Sequence, residues 1–433
     1  MKKTKLSSKF WIALTIFSLI GQVAWVVENM YFNVFIYKMF HASAEQISAM
    51  VSASAIAATV TTILIGALSD KIGKRKLFIC SGYILWGISI WSFSLIRIDV
   101  INKLFPMTVS AASVGVSLVI IMDCVMTFFG SAANDACFNA WLTDVTDDTN
   151  RGAAEGINSM MPLVAILVVF GGFMSFDLNK AESWTTIYQI IGIVVFILGV
   201  LGIFLIKDVP VDTSNNQNYF GNIFYGFRPS VMKQNKLFYI ILIAFATFCI
   251  SIQIFMPYLI LYYNVSLGMD NYVLIMAPAV ILAAIATAFY GRVYDRFRFK
   301  VAVMPAVGIL MLGYVFLYFF QSTALVFFGS LFMMSGYLMG MAVFGAMIRD
   351  YTPENRAGMF QGLRIVGQVL VPGIVGPWIG AKVLQNAKTV LNDDGTHSFI
   401  PNQNIFLAAF VAACVIWLVL AVIFHLLKKT KES

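Results

Sequence analysis

Gly66-Ala-Leu-Ser-Asp70-Lys71-Ile-Gly-Lys-Arg75-Lys76 is the stretch that decides the fold, because a related stretch occurs again in the second half of the chain. The second copy reads Gly291-Arg-Val-Tyr-Asp295-Arg296-Phe-Arg-Phe-Lys300. Both copies combine a small residue, an acid and a run of basic side chains directly after an apolar segment. Repetition of this kind indicates that the chain is built from two related halves.

A second motif is also repeated, with the same distance between its first and last residues. Its first copy consists of Asp144-Val-Thr146, Asn150-Arg151-Gly152 and Gly156, and its second copy of Asp350-Tyr-Thr352, Asn355-Arg356-Ala357 and Gly362. The distance from the first Asp to the last Gly is 12 residues in both copies. Many secondary transporters place a binding site between two repeated bundles of helices, so transport is the leading hypothesis.

The composition is that of a membrane protein, with 60% hydrophobic and 12% charged residues. Apolar runs of about 20 residues, the length of a helix that crosses a bilayer, recur along the whole chain. They lack the alternation of barrel strands, so we expect an all-α membrane protein with twelve transmembrane helices. The runs are 11–37, 45–69, 77–97, 115–142, 153–176, 186–207, 236–264, 268–291, 301–321, 323–348, 358–383 and 403–427.

The polar segment 208–235 divides the chain into an N-terminal six-helix bundle, 1–207, and a C-terminal six-helix bundle, 236–433. Of the 29 Lys and Arg residues, 22 fall in segments on the side of the N-terminus. By the positive-inside rule both termini are cytoplasmic and the protein is a multi-pass protein of the cell membrane. The net charge of +8 then reflects the orientation of the helices in the membrane and contact of basic residues with lipid headgroups. It does not indicate nucleic acid as a partner, and we expect a monomer.

The loop after the second helix, together with six-plus-six topology, resembles the major facilitator superfamily. The resemblance covers the whole chain and implies two pseudo-symmetric six-helix bundles. Within that superfamily, Asp135-Ala-Cys-Phe138 is similar to the fourth helix of the glycoside–pentoside–hexuronide:cation symporters, the melibiose-permease type. In that group the Asp matching Asp135 belongs to the cation and sugar region. Thr62 and Ala58 stand where that group has two acids in its second helix. We therefore favour protons as the coupling ion, with Na⁺ as the alternative. No other cofactor is expected.

The repeated loops predict a cytoplasmic gate between the two halves. Gly66 removes a side chain where two helices approach closely. Asp70 faces the positive N-terminus of the eleventh helix, and Asp295 faces the fifth helix by pseudo-symmetry. The alternative is that these charges only anchor the loops. The predicted gate residues are Gly66, Asp70, Lys71, Arg75, Arg151, Asp295, Arg296 and Arg356.

Polar residues on helix 1 are candidates for a binding site, because charges within the bilayer are costly and tend to be functional. Glu28 lies a little past the middle of this helix. Gln22, Asn29 and Asn33 follow the spacing i, i+7 and i+11, which predicts one polar stripe, with Trp25 one turn away. Amides beside an aromatic ring suit a hydroxyl-rich ligand. The alternative is hydrogen bonding between helices for packing.

Helices 4, 7 and 11 supply the other candidates. Asp123 and Asp135 lie in the outer and inner parts of helix 4, although Asp123 could instead reach outer water. Arg364 is about two turns deep in helix 11 and needs an anionic substrate group or a carboxylate partner, for which Glu28 and Asp135 are available. On helix 7, Tyr258 and Tyr262 line the site, or the tyrosines, Tyr262 and Tyr263 in particular, form an interfacial aromatic belt. The remaining candidates are Asn139 on helix 4, Gln253 on helix 7, and Gln361 and Gln368 on helix 11.

These features favour a carrier of a small-molecule solute, most simply an importer of a sugar or glycoside driven by protons. The principal alternative is a drug or metabolite exporter that works as a proton antiporter. An intramembrane enzyme or a transport-dead sensor belongs to a different class. The three histidines lie at helix ends or in an outer loop, and no nucleophile motif is present, so we expect no enzyme activity.

Overall fold

The computed structural model describes residues 6–105, 110–147, 149–208, 225–352, 362–392 and 395–432. Within them, twelve helices are long and apolar enough to cross a membrane, which confirms the all-α fold class and the twelve predicted spans. The first six are α1 Ser8–Phe40, α2 Ala44–Ile72, α3 Arg75–Leu95, α4 Ala111–Val145, α5 Arg151–Phe173 and α6 Ala181–Leu205. The second six are α7 Lys236–Ser266, α8 Val273–Tyr294, α9 Phe299–Phe319, α10 Thr323–Asp350, α11 Gly362–Leu384 and α12 Asn404–Leu427.

The chain separates into two compact units. Unit 1 comprises residues 1–46 and 53–220, and unit 2 comprises residues 47–52 and 221–433. Most of the predicted linker lies outside the described residues, although a short helix, Pro229–Gln234, precedes α7. The exact domain boundaries therefore stay a prediction.

Unit 1 is held together by close contacts between helix backbones. α3 packs against α4 and α6, and α1 packs against α5. A Cβ atom added at Gly87 of α3 would lie 2.4 Å from the backbone nitrogen of Phe196. One added at Gly192 of α6 would lie 2.6 Å from that of Trp91. Since real Cβ atoms do not approach backbone so closely, these two glycines allow α3 and α6 to touch.

Unit 2 uses equivalent pairings of its own helices. α7, its first helix, packs against α11, its fifth, as α1 packs against α5. α7 also packs against α12. α9 packs against α10, as their counterparts α3 and α4 pack against each other in unit 1. At Gly336 of α10 an added Cβ would lie 2.3 Å from the backbone nitrogen of Leu310 on α9. The internal packing of the two units thus repeats, as the sequence motifs do.

The connection between α8 and α9 differs from the loop expected at 292–300. Helical conformation runs without a break over Val273–Phe319. Residues 12 apart on a straight helix are about 18 Å apart, yet the Tyr290 hydroxyl donates to the Ala302 carbonyl at 2.6 Å. The chain therefore reverses direction within this stretch, and only residues 295–298 separate α8 from α9. No glycine or proline lies between Arg292 and Lys300, so helical backbone continues close to the reversal from both sides.

Two connections carry small elements of their own. The short helix Ile98–Leu104 lies between α3 and α4. Between α11 and α12, β1 Thr389–Leu391 pairs antiparallel with β2 His397–Phe399, with Thr389 opposite Phe399. Gly395, in the turn of this hairpin, has φ +81°, a left-handed conformation that favours glycine.

Candidate functional site

Four helices depart from regular α geometry by forming π-helical turns, in which the backbone bonds reach one residue further than in an α-helix. These helices are α1, α4, α7 and α11, the same four that carry the predicted site residues. Within the described residues no other helix contains such a turn. The π segments are Val27–Tyr31, Ser131–Phe138, Tyr262–Ser266 and Val366–Leu370. Turns of this kind frequently occur at functional sites.

Glu28 lies in the π turn of α1 and is 6% exposed. One of its oxygens, Oε1, accepts hydrogen bonds from the Ser54 hydroxyl at 2.6 Å and the Thr127 hydroxyl at 2.8 Å. These two hydroxyl groups are 2.9 Å apart. Helices α1, α2 and α4 therefore converge on a single carboxyl oxygen.

Asp123 is enclosed within unit 1. It is 1% exposed, so contact with outer water, the alternative considered above, does not occur in this structure. Its carboxyl interacts electrostatically with Glu28 and with the hydroxyl of Tyr188 on α6. Burial of two neighbouring acids makes this part of unit 1 chemically distinct from an ordinary helix interface.

Asp135 lies in the π segment of α4 and has hydrogen-bond donors at both oxygens. Ser131 donates to Oδ2 at 3.1 Å, and the Asn134 amide donates to Oδ1 at 3.4 Å. The indole Nε1 of Trp25 also faces this carboxyl, without a hydrogen bond of normal geometry to any described atom. The Trp25 ring itself contacts Trp86, with ring centroids 5.1 Å apart.

Three asparagine side chains support the π turns themselves. Asn29 donates to the carbonyl of Trp25 at 2.8 Å, and Asn33 donates to the carbonyl of Asn29 at 3.0 Å. Asn139 donates to the carbonyls of Asn134 and Asp135 at 3.3 and 3.2 Å. A π turn displaces backbone bonds, and these amides supply donors where it does so.

The predicted stripe on α1 is altered by its π turn. Asn33 is 1% exposed, whereas Asn29 is exposed and Gln22 is half-buried. The spacing i, i+7 and i+11 assumes 3.6 residues per turn throughout, and the π turn inserts one residue between Gln22 and Asn33. The three amides consequently do not share one environment.

The tyrosines of α7 are packing residues, and the aromatic-belt alternative is wrong. Tyr258, Tyr262 and Tyr263 are each at most 1% exposed. The Tyr258 hydroxyl donates to the Pro377 carbonyl at 3.3 Å, and that of Tyr263 lies 2.6 Å from the Ser330 hydroxyl. Gln253 is half-buried, and its Cβ lies 2.5 Å from the position that a Cβ at Gly376 of α11 would occupy.

Arg364 on α11 is half-buried and donates to Gln368 at 3.3 Å, one turn along the same helix. In the described part of unit 2 it has no carboxylate within ion-pair distance. Gln361 lies outside the described residues. The pairing of Arg364 with Glu28 or Asp135 stays a prediction.

An ion-pair network around a buried arginine joins the end of α2, the start of α3 and the end of α4. Arg75, whose side chain is 6% exposed, pairs with Asp70 and reaches Asp144 at 3.1 Å. Among the described residues, a Cβ added at Gly66 would meet Ala136 at an ordinary 3.9 Å, and the expected part of Gly66 in the gate stays a prediction. Within unit 1, no helix comes close enough to require glycine at this position.

Arg151 and Arg296, two other predicted gate residues, contact residues close to them in the sequence. Arg151 donates to the carbonyl of Thr146 at 3.0 Å, at the end of α4. Arg296 is exposed and lies over the ring of Phe297, and Lys71 is exposed. The side chain of Asp295 and all of Arg356 lie outside what the structure describes, so the gate stays a prediction.

Family membership follows from the sequence profile of the Major Facilitator Superfamily, which matches residues 10–377. The chain belongs to this superfamily. A major facilitator chain of this kind is a membrane transporter and not an enzyme. No curated protein matches the sequence significantly. The narrower likeness to the glycoside–pentoside–hexuronide:cation symporters therefore remains a resemblance.

Solved major facilitator structures share the fold over almost the whole chain. The nucleoside transporter NupG is 14% identical, with a TM-score of 0.70, covering 95% of this chain and 98% of its own. A bacterial homologue of the human lysosomal transporter Spinster is 15% identical, with a TM-score of 0.67 and 98% coverage of both chains. A D-xylose-proton symporter is 14% identical, with a TM-score of 0.66, covering 94% and 97%. Likeness at this identity shows the fold alone.

Sequence reasoning missed the hydroxyl groups around the acids of this major facilitator chain, chiefly Ser54 and Thr127. The sequence does indicate the hydroxyl residues of α4, because polar residues recur there every four positions. The series is Asp123, Thr127, Ser131 and Asp135. No comparable spacing marks Ser54, whose role depends on how α2 packs against α1.

Proposed function

We propose that this transporter imports a small polar solute, most simply a sugar or glycoside, in symport with protons by alternating access. The observation that carries the proposal is a group of three acids in unit 1, the buried Glu28 and Asp123 and the half-buried Asp135, on helices with π turns. No basic side chain among the described residues interacts with any of the three. We propose the cell membrane as its location, with both termini cytoplasmic, because basic residues concentrate on that side of the predicted topology.

Proton coupling follows from the cost of burying charge. An ionised carboxylate without a cation beside it is expensive in a medium of low dielectric constant. Glu28 has only hydroxyl donors from Ser54 and Thr127, which stabilise but do not neutralise it. Proton uptake removes the charge, and exposure of the site to water on the opposite side allows release. A proton gradient can thereby drive the change between facing states.

The proposed solute class is based on polar and aromatic groups of α1 and α4. Amides such as Gln22 and the carboxyl of Asp135 can hydrogen-bond to hydroxyl groups, and Trp25 offers a flat apolar face. Two of the similar structures are named for polyhydroxylated solutes, a nucleoside and D-xylose. These names support a hydroxyl-rich solute here, although the shared fold does not specify one.

A panel experiment in proteoliposomes tests the proposal. Pentoses, hexoses, glycosides, nucleosides and apolar cationic dyes are added singly outside vesicles that contain a trapped pH indicator. We expect at least one polyhydroxylated solute to acidify the lumen. Glu28→Gln should abolish this acidification, whereas Glu182→Gln, at an exposed position on α6, should preserve it.

Two results would contradict the proposal. The first is uptake of a polyhydroxylated solute with no accompanying change in luminal pH. The second is movement of the cationic dyes alone in exchange for protons, which would establish the exporter alternative.

A further inference from the structure

Two buried carboxyl oxygens in unit 1 have no hydrogen-bond partner among the described residues. They are Oε2 of Glu28 and Oδ1 of Asp123. The residues are 6% and 1% exposed, respectively. Buried polar atoms almost always find a partner, so two unpartnered oxygens on interacting acids require an explanation.

Asp135 provides the contrast within the same unit. Both of its oxygens receive hydrogen bonds, from Ser131 and Asn134. Donors of this kind stabilise the ionised form of a carboxyl group. Glu28 has donors at Oε1 only, which leaves Oε2 free to bind a proton. Asp135 thus has a donor at each oxygen, whereas Glu28 and Asp123 each keep one oxygen without a donor among the described residues.

The surroundings of Glu28 and Asp123 contain no compensating charge. The titratable groups that face them are Asp135 and Cys124 on α4 and Tyr188 on α6. The neighbouring part of α2 contributes the Ser54 hydroxyl, which is neutral. None of these groups is a cation, so two negative charges side by side would be strongly disfavoured.

We propose that Glu28 and Asp123 hold one proton between them and act as a single proton-binding pair. The inference rests on the proposed function for its use in coupling. Binding forms one O–H bond on a carboxyl oxygen and release breaks it, with the proton exchanged with water when the site is exposed. Ser54 and Thr127 orient Glu28 by occupying Oε1, so that Oε2 receives the proton.

Infrared titration of the purified protein tests the pair directly. The carbonyl stretch of protonated carboxyl groups is followed against pH in the wild type and in Glu28→Gln, Asp123→Asn and Asp135→Asn. Two acids that share a proton hold it to higher pH than either acid alone, because full ionisation would place two charges together. Removing either acid should therefore lower the highest titration midpoint by about 1 pH unit or more, a roughly tenfold loss of proton affinity.

Asp135→Asn is the matched control, and its shift should be smaller than that of the other two variants. Glu28→Asp and Asp123→Glu keep both acids and should keep the high midpoint, which guards against misfolding. An unchanged midpoint in either Glu28→Gln or Asp123→Asn would overturn the pair. Loss of the band on adding Na⁺ but not K⁺ would also overturn it, in favour of a sodium site. The readout needs no solute, so its failure is distinct from failure of the proposed transport.

Discussion

At the scale of single residues, Glu28 could be recognised from the sequence as a candidate site residue. Its hydrogen-bond partners could not. An acid in the middle of an apolar helix is recognisable because nothing else in the helix resembles it. Its partners Ser54 and Thr127 are small hydroxyl residues, which are common in membrane helices and mostly bond to their own backbone. Ser117 on α4 does so, donating to Ser113 at 3.0 Å. Only the packing of α1, α2 and α4 distinguishes hydroxyl groups that donate to Glu28 from those that donate to their own helix backbone.

Thr127→Val keeps the shape of the side chain and is expected to destabilise unit 1. The change removes the donor to Glu28 and should lower the free energy of unfolding by about 1 kcal/mol. Thermal unfolding of the purified protein measures the effect. Ser117→Ala, on the exposed face of the same helix, is the control and should have little effect. Equal loss of stability in the two variants would mean that the Thr127 hydroxyl contributes nothing to Glu28.

At the scale of helices, the four π turns are the feature that sequence periodicity could not predict. Counting at 3.6 residues per turn placed Gln22, Asn29 and Asn33 on one face, and the inserted residue in α1 separates them. No residue type requires a π turn, so the pattern of apolar residues does not reveal it. The helices that contain these turns are nonetheless the helices whose polar residues the sequence singled out.

The close approach of α9 and α10 gives a prediction about packing. An Ala at Gly336 would bring its Cβ within 2.3 Å of the Leu310 backbone, so the two helices must separate. We expect Gly336→Ala to cost about 1–3 kcal/mol of stability, as overpacking does. Gly345 of the same helix has nothing within 4 Å of its added Cβ, so Gly345→Ala should be nearly neutral. Comparable unfolding temperatures for the two variants would contradict this account of α10.

At the scale of the whole molecule, the twelve spans could be predicted because hydrocarbon thickness dictates their length and apolar character. The duplication was also readable, since Asp70 and its counterpart Asp295 follow equivalent helices. The connection expected at 292–300 is shorter in the structure, at 295–298, because polar residues indicate exposure to water but do not by themselves end a helix. The predicted gate involves Arg356, which lies outside the described residues, so it stays a prediction.

The central claim is that proton movement drives solute uptake through Glu28, and one measurement tests it most directly. Vesicles containing the transporter and loaded at neutral pH are diluted into acidic or alkaline medium, and accumulation of the solute found in the panel is followed. We predict accumulation above the external concentration in acidic medium only, its loss with a protonophore, and its absence in Glu28→Gln. Equal accumulation in both media, undiminished by the protonophore, would contradict the account.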